Sequence, residues 1–453
     1  MTEKMHLSMQ LRQRAEEAGI TLALPSGRSA MVPIASDPYL LDRAIYDEIV
    51  AKADLLGRFT TEAALNSDLI ETVANRCRSD KVCETLWRIV SEKKRILGQA
   101  YVTILRTSTA ILQRTDFYVV NRSPRLIEIN TVSVGLLSMS ARLADIYASS
   151  GCHGIVQSNL VFLYSSLARI AADSGSTPSI WLMVVSEDEP MVNDQLGICQ
   201  GYNAYCIAHS ISSTMIRSTC KELVRIIHVQ GNTLTVSREG AHSRIAGAYW
   251  RTGYAHEDCT SEYERLRTLL ETHSLVSIPT AEAQLVGMKI VQNMVPALAT
   301  TDKYAYMSEA IPVLSKVLDS PRAISSWIAS APDTSTMVLK SAAEGGGHCV
   351  FGDDILTVWD ALLRAGPEAA STHFLMDRLT PDGQAAVQFI YPNQIIDIER
   401  AGAEVGVYSF CLPGQMGAAS VQHLGLLVRM KASSAREGGI LHGQGALSCL
   451  EVQ

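Results

Sequence analysis

A glycine triplet that follows a short apolar run constrains this chain more than any other feature of its sequence. The run 337–339 has the composition of a buried strand, and the octet after it reads Lys340-Ser-Ala-Ala-Glu344-Gly345-Gly346-Gly347. Consecutive glycines let backbone N–H groups approach phosphate oxygens, a lysine neutralises phosphate charge, and a carboxylate can hold Mg²⁺. The octet lacks the spacing of a Walker A loop and of a dinucleotide fingerprint. It predicts a phosphate-binding loop of another kind, with a plain flexible loop as the alternative.

Two polar residues in an upstream segment suit a metal ion. Glu128 and Asn130 alternate with Ile127 and Ile129, so on a strand both polar side chains share one face. A carboxylate and an amide oxygen side by side are suitable ligands for a hard cation such as Mg²⁺. For this segment alone, a strand with a solvated polar face is the alternative.

Two cations share a strand face near the end of the chain. Arg429 and Lys431 alternate in the run 426–431, and a second glycine-rich turn contains Gly438 and Gly439. Parallel cations beside such a turn suit an anionic substrate or a developing phosphate.

Composition excludes several classes of function. The chain has 453 residues, 47% of them hydrophobic and 19% charged, which is ordinary for a globular protein with a large core. The net charge of −7 gives no basic patch for nucleic acid, and no apolar run is long enough to span a bilayer. The first twenty residues carry mixed charges and are not expected to be a signal peptide. The 10 cysteines form no Cys-x-x-Cys and are expected to be reduced thiols in a cytoplasmic protein without zinc.

Hydrophobic periodicity predicts a mixed α/β chain. Residues 41–112 read mainly as helix, and a strand over 126–130 is followed by a helix over 138–147. The continuous apolar run 180–185 predicts a central parallel strand, followed by a helix over 194–208. A turn at Gly231-Asn232 predicts a hairpin between 226–229 and 234–236.

These segments together resemble the eukaryotic-type glutathione synthetases, which are ATP-grasp ligases, in order over most of the chain. The glycine triplet matches the family's Glu-Gly-Gly-Gly, and residues 127–131 match its Ile-Glu-Ile-Asn-Thr. Further similarity lies in the segments Gln113–Phe117, Ala248–Tyr254, Gln284–Lys289, Leu375–Asp377 and Arg429–Lys431.

The resemblance implies an α/β fold with α+β lobes: an ATP-grasp body, an inserted small α/β substrate-binding domain and glycine-rich lid loops. Residues 1–179 would form the N-terminal helical region and the first part of the body. Residues 180–289 would form the substrate-binding domain, and 290–453 the ATP-grasp domain with its lid. Family members are typically homodimers, so a cytoplasmic homodimer without membrane or nucleic-acid partners is expected.

The resemblance also implies a role for individual residues. The expected Mg²⁺ ligands are Glu128, Asn130 and Glu344. The expected ATP contacts are Lys289, Lys340, Gly345, Gly346, Gly347, Met376, Asp377, Glu399 and Lys431. Arg114, Arg251 and Arg429 are expected to meet substrate carboxylates or the transferring phosphoryl group. The other expected substrate contacts are Ser133, Glu189, Gln195, Tyr254, Ile440 and Leu441.

The chain departs from the family where the substrates would bind. Gly135 stands where the family usually has Ser, and Met191 where it usually has Asn, so two hydrogen-bonding groups of the donor site are missing. Leu441 and His442 replace two small residues of the acceptor loop. Three functions therefore remain open: glutathione synthetase itself, an ATP-grasp amide ligase with another donor or acceptor, and a non-catalytic nucleotide-binding homologue.

Overall fold

The architecture is known from a computed structural model of the protein. It describes residues 3–24, 27–173, 178–238, 241–330, 332–341, 349–412, 414, 421–435, 440 and 445–453. No helix in this part of the chain is long and apolar enough to cross a membrane.

Helices and strands alternate along the chain. The helices are α1 (Glu3–Glu17), α2 (Arg43–Ala63), α3 (Ser67–Arg76), α4 (Lys81–Leu97), α5 (Tyr101–Ser108), α6 (Leu137–Ser149), α7 (Leu160–Asp173), α8 (Val192–Ala208), α9 (Cys220–Ile226), α10 (Ser261–Thr272), α11 (Ala281–Val286), α12 (Lys289–Leu298), α13 (Pro321–Ala329), α14 (Asp354–Ala365) and α15 (Pro367–Ser371). The strands are β1 (Thr21–Ala23), β2 (Ser29–Met31), β3 (Ile34–Ala35), β4 (Tyr39–Leu41), β5 (Ile111–Val120), β6 (Ser123–Asn130), β7 (Ser179–Val185), β8 (Ser213–Thr219), β9 (Ile227–Gln230), β10 (Thr233–Arg238), β11 (Ala241–Arg251), β12 (Val276–Ile278), β13 (Val317–Leu318), β14 (Met337–Ser341), β15 (Val350–Phe351), β16 (His373–Asp377), β17 (Gly383–Ile390), β18 (Ile395–Cys411), β19 (Val421–Ala432), β20 (Gly445–Ser448) and β21 (Leu450–Val452).

The largest sheet contains seven of the described strands, in the order β17-β3-β20-β19-β18-β5-β6. Long antiparallel pairings join β19 to β18, β18 to β5 and β5 to β6. Because residues directly opposite each other on antiparallel strands point to the same face, these pairings collect side chains from distant parts of the sequence. The proposed metal and phosphate residues of β6 and β19 therefore lie on one sheet.

A second sheet has the strand order β8-β7-β11-β10-β9, with β12 beside β11. Its strand β7 lies between β8 and β11, is parallel to both, and is buried at all seven residues. The prediction of a central parallel strand from its continuous apolar run is confirmed. The predicted hairpin is also confirmed, because β9 and β10 pair antiparallel around the Gly231-Asn232 turn. Except for Ser179, all six strands lie within residues 180–289, the segment predicted as the substrate-binding domain, whose boundaries remain a prediction.

A third sheet carries the strand that leads into the glycine triplet. Its order is β13-β16-β14-β15, and β14 confirms the strand predicted before Lys340. The other predicted elements are found with small shifts of their ends. One boundary was wrong: the helical region ends at Ser108, and Ile111 and Leu112 already belong to the buried strand β5.

Two glycines allow close approaches that shape the site. A Cβ atom on Gly287, between α11 and α12, would lie 1.9 Å from Thr131 Oγ1, which follows β6. A Cβ atom on Gly406 in β18 would lie 2.4 Å from Asp116 Oδ1. The first contact brings the start of α12 against the end of β6, and the second leaves room on the sheet for a buried carboxylate.

Candidate functional site

Charged residues cover one face of the large sheet, and we call them the charged face. Alternation along the strands and the register between them place these side chains together. In the register, Arg114 pairs with Asn130, Asp116 with Glu128, and Glu404 with Arg429. The members of the charged face are Arg114, Asp116, Glu128, Asn130, Glu404, Arg429 and Lys431, with Lys289 and Lys340 packed next to them.

The centre of the charged face is a buried bidentate pair. Arg114 Nε donates to Asp116 Oδ1 and Arg114 Nη2 donates to Asp116 Oδ2, both at 2.7 Å. Asp116 is fully buried and also accepts a hydrogen bond of 3.0 Å from Asn130 Nδ2. Two parallel N–H···O bonds fix the plane of the guanidinium, so Arg114 is held in one orientation.

Glu128 is surrounded by cations. Its Oε2 lies 3.8 Å from Lys289 Nζ, and Lys340 Nζ donates to the neighbouring Ile127 carbonyl at 3.5 Å. Burial raises the pKa of the Glu128 carboxyl, but the nearby lysines and arginines outweigh burial and lower it to about 2. The carboxylate is therefore ionised at every physiological pH.

The cationic strand β19 supplies the other half of the charged face. Arg429 Nη2 donates to Glu404 Oε1 and lies 3.7 Å from Asp116 Oδ2. Burial raises the pKa of Glu404, and the Asp116 and Glu128 carboxylates raise it further against the opposing effect of Arg429. Lys431 Nζ lies 5.4 Å from the centre of the Tyr118 ring. Arg429 and Lys431 thus share one face of the strand, as the sequence predicted, and their part in anion binding stays a prediction.

A second group of predicted site residues lies beside the second sheet, and we call it the donor cluster. Its members are Ser133, Glu189, Gln195, Arg251 and Tyr254. Ser133 Oγ donates to the Arg251 carbonyl at 3.3 Å, and Glu189 Oε1 accepts from the Met191 backbone N–H at 2.8 Å. Burial, with the Glu189 and Asp258 carboxylates, raises the pKa of Tyr254 to about 12, while Arg251 and Ser133 oppose the increase. The fold therefore brings Ser133 close to Tyr254, although the two residues are 121 positions apart in the sequence.

The two positions that depart from the family lie next to each other. A Cβ atom on Gly135 would lie 3.5 Å from Arg251 Nη2 and 3.7 Å from Met191 Cε. The two hydrogen-bonding groups that this chain lacks would therefore lie at the same place, beside the Arg251 guanidinium.

One hydrogen bond connects the charged face to the donor cluster. Tyr408 pairs with Arg114 in the register of β18 and β5, and its hydroxyl donates to the Gly135 carbonyl at 2.6 Å. This bond joins the sheet that carries the charged face to the segment that contains Gly135, which lies beside Arg251.

Comparison with known proteins shows the family of the chain. The family model described as eukaryotic glutathione synthase, ATP binding domain, matches residues 4–451. The chain belongs to this glutathione synthetase family. The family is one of ATP-dependent ligases, which act on small molecules.

Individual relatives of the glutathione synthetase family are distant in sequence. The chain is 25% identical over 360 residues to the chloroplastic glutathione synthetase of Solanum lycopersicum, covering 75% of this chain and 63% of that protein. It is 23% identical over 439 residues to the chloroplastic glutathione synthetase of Arabidopsis thaliana, covering 92% of this chain and 78% of that protein. Because both plant proteins are named chloroplastic, the cytoplasmic localisation remains a prediction.

A solved structure has the same fold. A glutathione synthetase-like effector from Globodera pallida, in its apo form, matches with a TM-score of 0.72 and 14% identity, covering 99% of this chain and 96% of that chain. This likeness confirms the predicted mixed α/β, ATP-grasp-type fold.

The charged face fits the Mg²⁺ ion expected for a glutathione synthetase. Asn130 Nδ2 donates to both Asp116 and Glu128, at 3.0 and 3.3 Å, so the amide group lies directly beside the Glu128 carboxylate. Glu128 provides an ionised carboxylate beside it. Oxygen ligands of this kind are those that Mg²⁺ prefers. The third expected ligand, Glu344, lies outside the described residues, as do Gly345, Gly346, Gly347 and Leu441.

Four further expected contacts lie in the described residues, and their roles stay predictions. Met376 is buried in the core at 2% exposure, and the Asp377 carboxylate accepts from the Lys316 backbone N–H at 3.1 Å. Glu399 is exposed and lies five residues before Glu404 on β18, which is roughly 17 Å along the strand. Ile440 is buried in the core at 5% exposure.

Several residues of the site were missed by the sequence analysis. Asp116 stands two residues after Arg114 on the same strand, and this period-2 spacing was a signal that could have identified it. Asp194 is fully buried, lies 3.3 Å from Arg251 and accepts backbone N–H bonds from the start of α6. Glu404 and Arg217 reach the site only through long-range strand pairing, and nothing in the sequence indicates them.

Proposed function

We propose that this protein is an ATP-dependent carboxylate–amine ligase that forms an amide bond through an acyl phosphate and releases ADP and phosphate. The observation that carries the proposal is the charged face, where four cations surround the ionised carboxylate of Glu128. Such an excess of positive charge beside metal-type oxygen ligands suits a Mg²⁺–nucleotide complex.

The chemistry requires two anions to be brought together. In the first step a donor carboxylate oxygen attacks the γ-phosphorus of ATP, which gives an acyl phosphate and ADP. Lys289 and Lys340 hold the phosphates, while Arg114 and Arg429 offset the charge on the transferring phosphoryl group. Glu128 and Asn130 would hold a Mg²⁺ ion, which would neutralise part of the phosphate charge.

In the second step the acceptor amine attacks the acyl carbon, phosphate leaves, and the amine loses a proton. The donor must stay in place between the two steps, because the acyl phosphate hydrolyses in water. Arg251, Tyr254 and Gln195 are suited to hold it, and the Tyr408–Gly135 bond joins them to the face where the phosphoryl group is transferred.

The reference substrates are γ-glutamylcysteine and glycine, by relation to the glutathione synthetases. A second function, an amide ligase with another donor, is favoured by one observation. Gly135 and Met191 lie together beside Arg251 and offer no side-chain hydrogen bond there. A donor with an apolar group at that point would fit better than one that needs two hydrogen bonds.

A substrate panel tests the proposal. Phosphate release is measured with MgATP, each of several γ-glutamyl dipeptides and each of several amines. Glu344→Ala is the matched inactive variant, and it should lower kcat by orders of magnitude because phosphate charge is left uncompensated. Equal phosphate release by the variant and the wild type would contradict the proposal.

A further inference from the structure

Arg217 forms a hydrogen bond with Gln195 of the donor cluster. Arg217 lies on β8 and Gln195 in the first turns of α8, 22 residues earlier in the chain. Arg217 Nε donates to Gln195 Oε1 at 2.6 Å, and the Gln195 side chain is fully buried.

This hydrogen bond fixes which way the Gln195 amide points. A guanidinium has five N–H donors and no acceptor, so the amide oxygen must face Arg217. The amide nitrogen then faces the opposite direction. Gln195 Nε2 is buried and has no hydrogen-bond partner within the described part of the chain.

A buried N–H group without a partner is costly and indicates that a ligand completes it. A second orphan donor, Arg251 Nε, is buried in the same cluster. Arg251 also carries a full positive charge, only part of which is opposed by Asp194 at 3.3 Å. The missing partner is therefore an acceptor, and an anionic oxygen fits it best.

Arg217 has no carboxylate of its own to pair with. Within the described residues no Asp or Glu oxygen lies within ion-pair distance of its guanidinium. Burial lowers its pKa, and Glu189 partly opposes this effect. The half-buried Arg217 guanidinium is thus held largely by its contact with Gln195. An arginine with a purely structural role would not require that contact.

We propose that Arg217 is a positioning residue for the donor substrate: it locks the Gln195 amide so that Nε2 donates to a carboxylate oxygen of the donor. The inference rests on the proposed ligase function and adds a residue that acts through Gln195. It also states the polarity of the contact, since Gln195 gives a hydrogen bond to the donor and does not accept one.

Steady-state kinetics of two Arg217 variants test this. The assay follows ADP release with saturating MgATP and amine while γ-glutamylcysteine is varied, or the γ-glutamyl dipeptide with the highest wild-type kcat/KM. Arg217→Met should raise the donor KM about tenfold, the effect of one lost hydrogen bond, and leave the KM for ATP unchanged. Arg217→Lys keeps a donor for Gln195 Oε1 and should restore most of the affinity.

The double variant separates positioning from general stability. In a Gln195→Ala background, Arg217→Met should add no further increase in donor KM, because its only route to the donor has been removed. If Arg217→Met does not fold, the donor KM values of Arg217→Lys and Gln195→Ala are compared instead.

The outcomes distinguish the two claims. A donor KM unchanged in Arg217→Met, or increases that multiply in the double variant, would overturn the role of Arg217 and leave the ligase proposal intact. A wild-type protein that releases no ADP with any donor of the panel would overturn both.

Discussion

Lys289 Nζ lies 3.8 Å from Glu128 Oε2, across 161 residues of sequence. The contact exists because Gly287 has no side chain and lets the start of α12 approach the end of β6. In the absence of nucleotide, the carboxylate and the lysine neutralise each other. When ATP binds, we expect the lysine to turn to the phosphates and the carboxylate to the metal.

The two lysines should matter for ATP binding. Lys289→Ala and Lys340→Ala should each raise the KM for ATP by about tenfold or more, because a charge-assisted hydrogen bond to phosphate is lost. Lys81→Ala, at an exposed position, is the matched control and should change nothing. Isothermal titration calorimetry would measure the affinity of each variant for the nucleotide. Equal affinities of all three variants would show that the lysines do not bind phosphate.

Glu128 should make the stability of the protein depend on pH. Its pKa of about 2 lies below the usual 4.5, so ionised Glu128 stabilises the folded state at neutral pH. This contribution is present above pH 4.5 and is lost as the pH falls towards 2. The free energy of unfolding of wild type should exceed that of Glu128→Gln by about 3 kcal/mol near pH 7, at about 1.4 kcal/mol per pKa unit.

The same difference should shrink below pH 4.5. Urea unfolding of both proteins between pH 7 and pH 3.5 would measure it. A difference that stays constant over this range, or grows on acidification, would mean that the cations do not stabilise the carboxylate.

Asp116 should be more important for stability than any exposed carboxylate. Asp116→Ala leaves the buried Arg114 guanidinium without its bidentate partner, which should cost about 3 to 5 kcal/mol of the free energy of unfolding. Asp360→Asn breaks an exposed pair with Arg364 and should leave stability nearly unchanged. Chemical denaturation compares the two variants. A similar small effect of both would show that the Arg114–Asp116 pair contributes little.

Glycine should not be the best acceptor. Leu441 is several methylenes larger than the residue usual in the family, and a buried methylene contributes roughly 0.8 kcal/mol to an apolar contact. His442 adds a group that can form hydrogen bonds. Glycine has no side chain for Leu441 to contact, so a longer or bulkier amine should be preferred. Competition between glycine, β-alanine and larger amino acids decides this, and the highest kcat/KM for glycine would refute it.

Local patterns predicted the elements, while long-range pairing determined the site. The apolar run of β7 and the alternation of Glu128 with Asn130 are short-range features, so the sequence was sufficient for them. The pairing of Arg429 with Glu404 and of Arg217 with Gln195 depends on strand order and helix placement. These are consequences of the whole fold, and no local spacing encodes them.

Some roles assigned by resemblance stay predictions. Met376 has the residue type expected of an apolar adenine contact, and its side chain is buried in the core. Glu399 was assigned by resemblance alone, and the long β18 carries it away from the charged face. A motif fixes the residue type at a position, whereas the direction of its side chain depends on the strand that contains it.

The nucleotide product is the most direct test of the central claim. Wild-type protein is incubated with MgATP, a γ-glutamyl dipeptide and an amine from the panel, and the nucleotides are separated by chromatography. An acyl-phosphate ligase should form ADP and inorganic phosphate in amounts equal to the amide product, and only when both substrates are present. AMP and pyrophosphate as products, or amide formation without ATP consumption, would contradict the account.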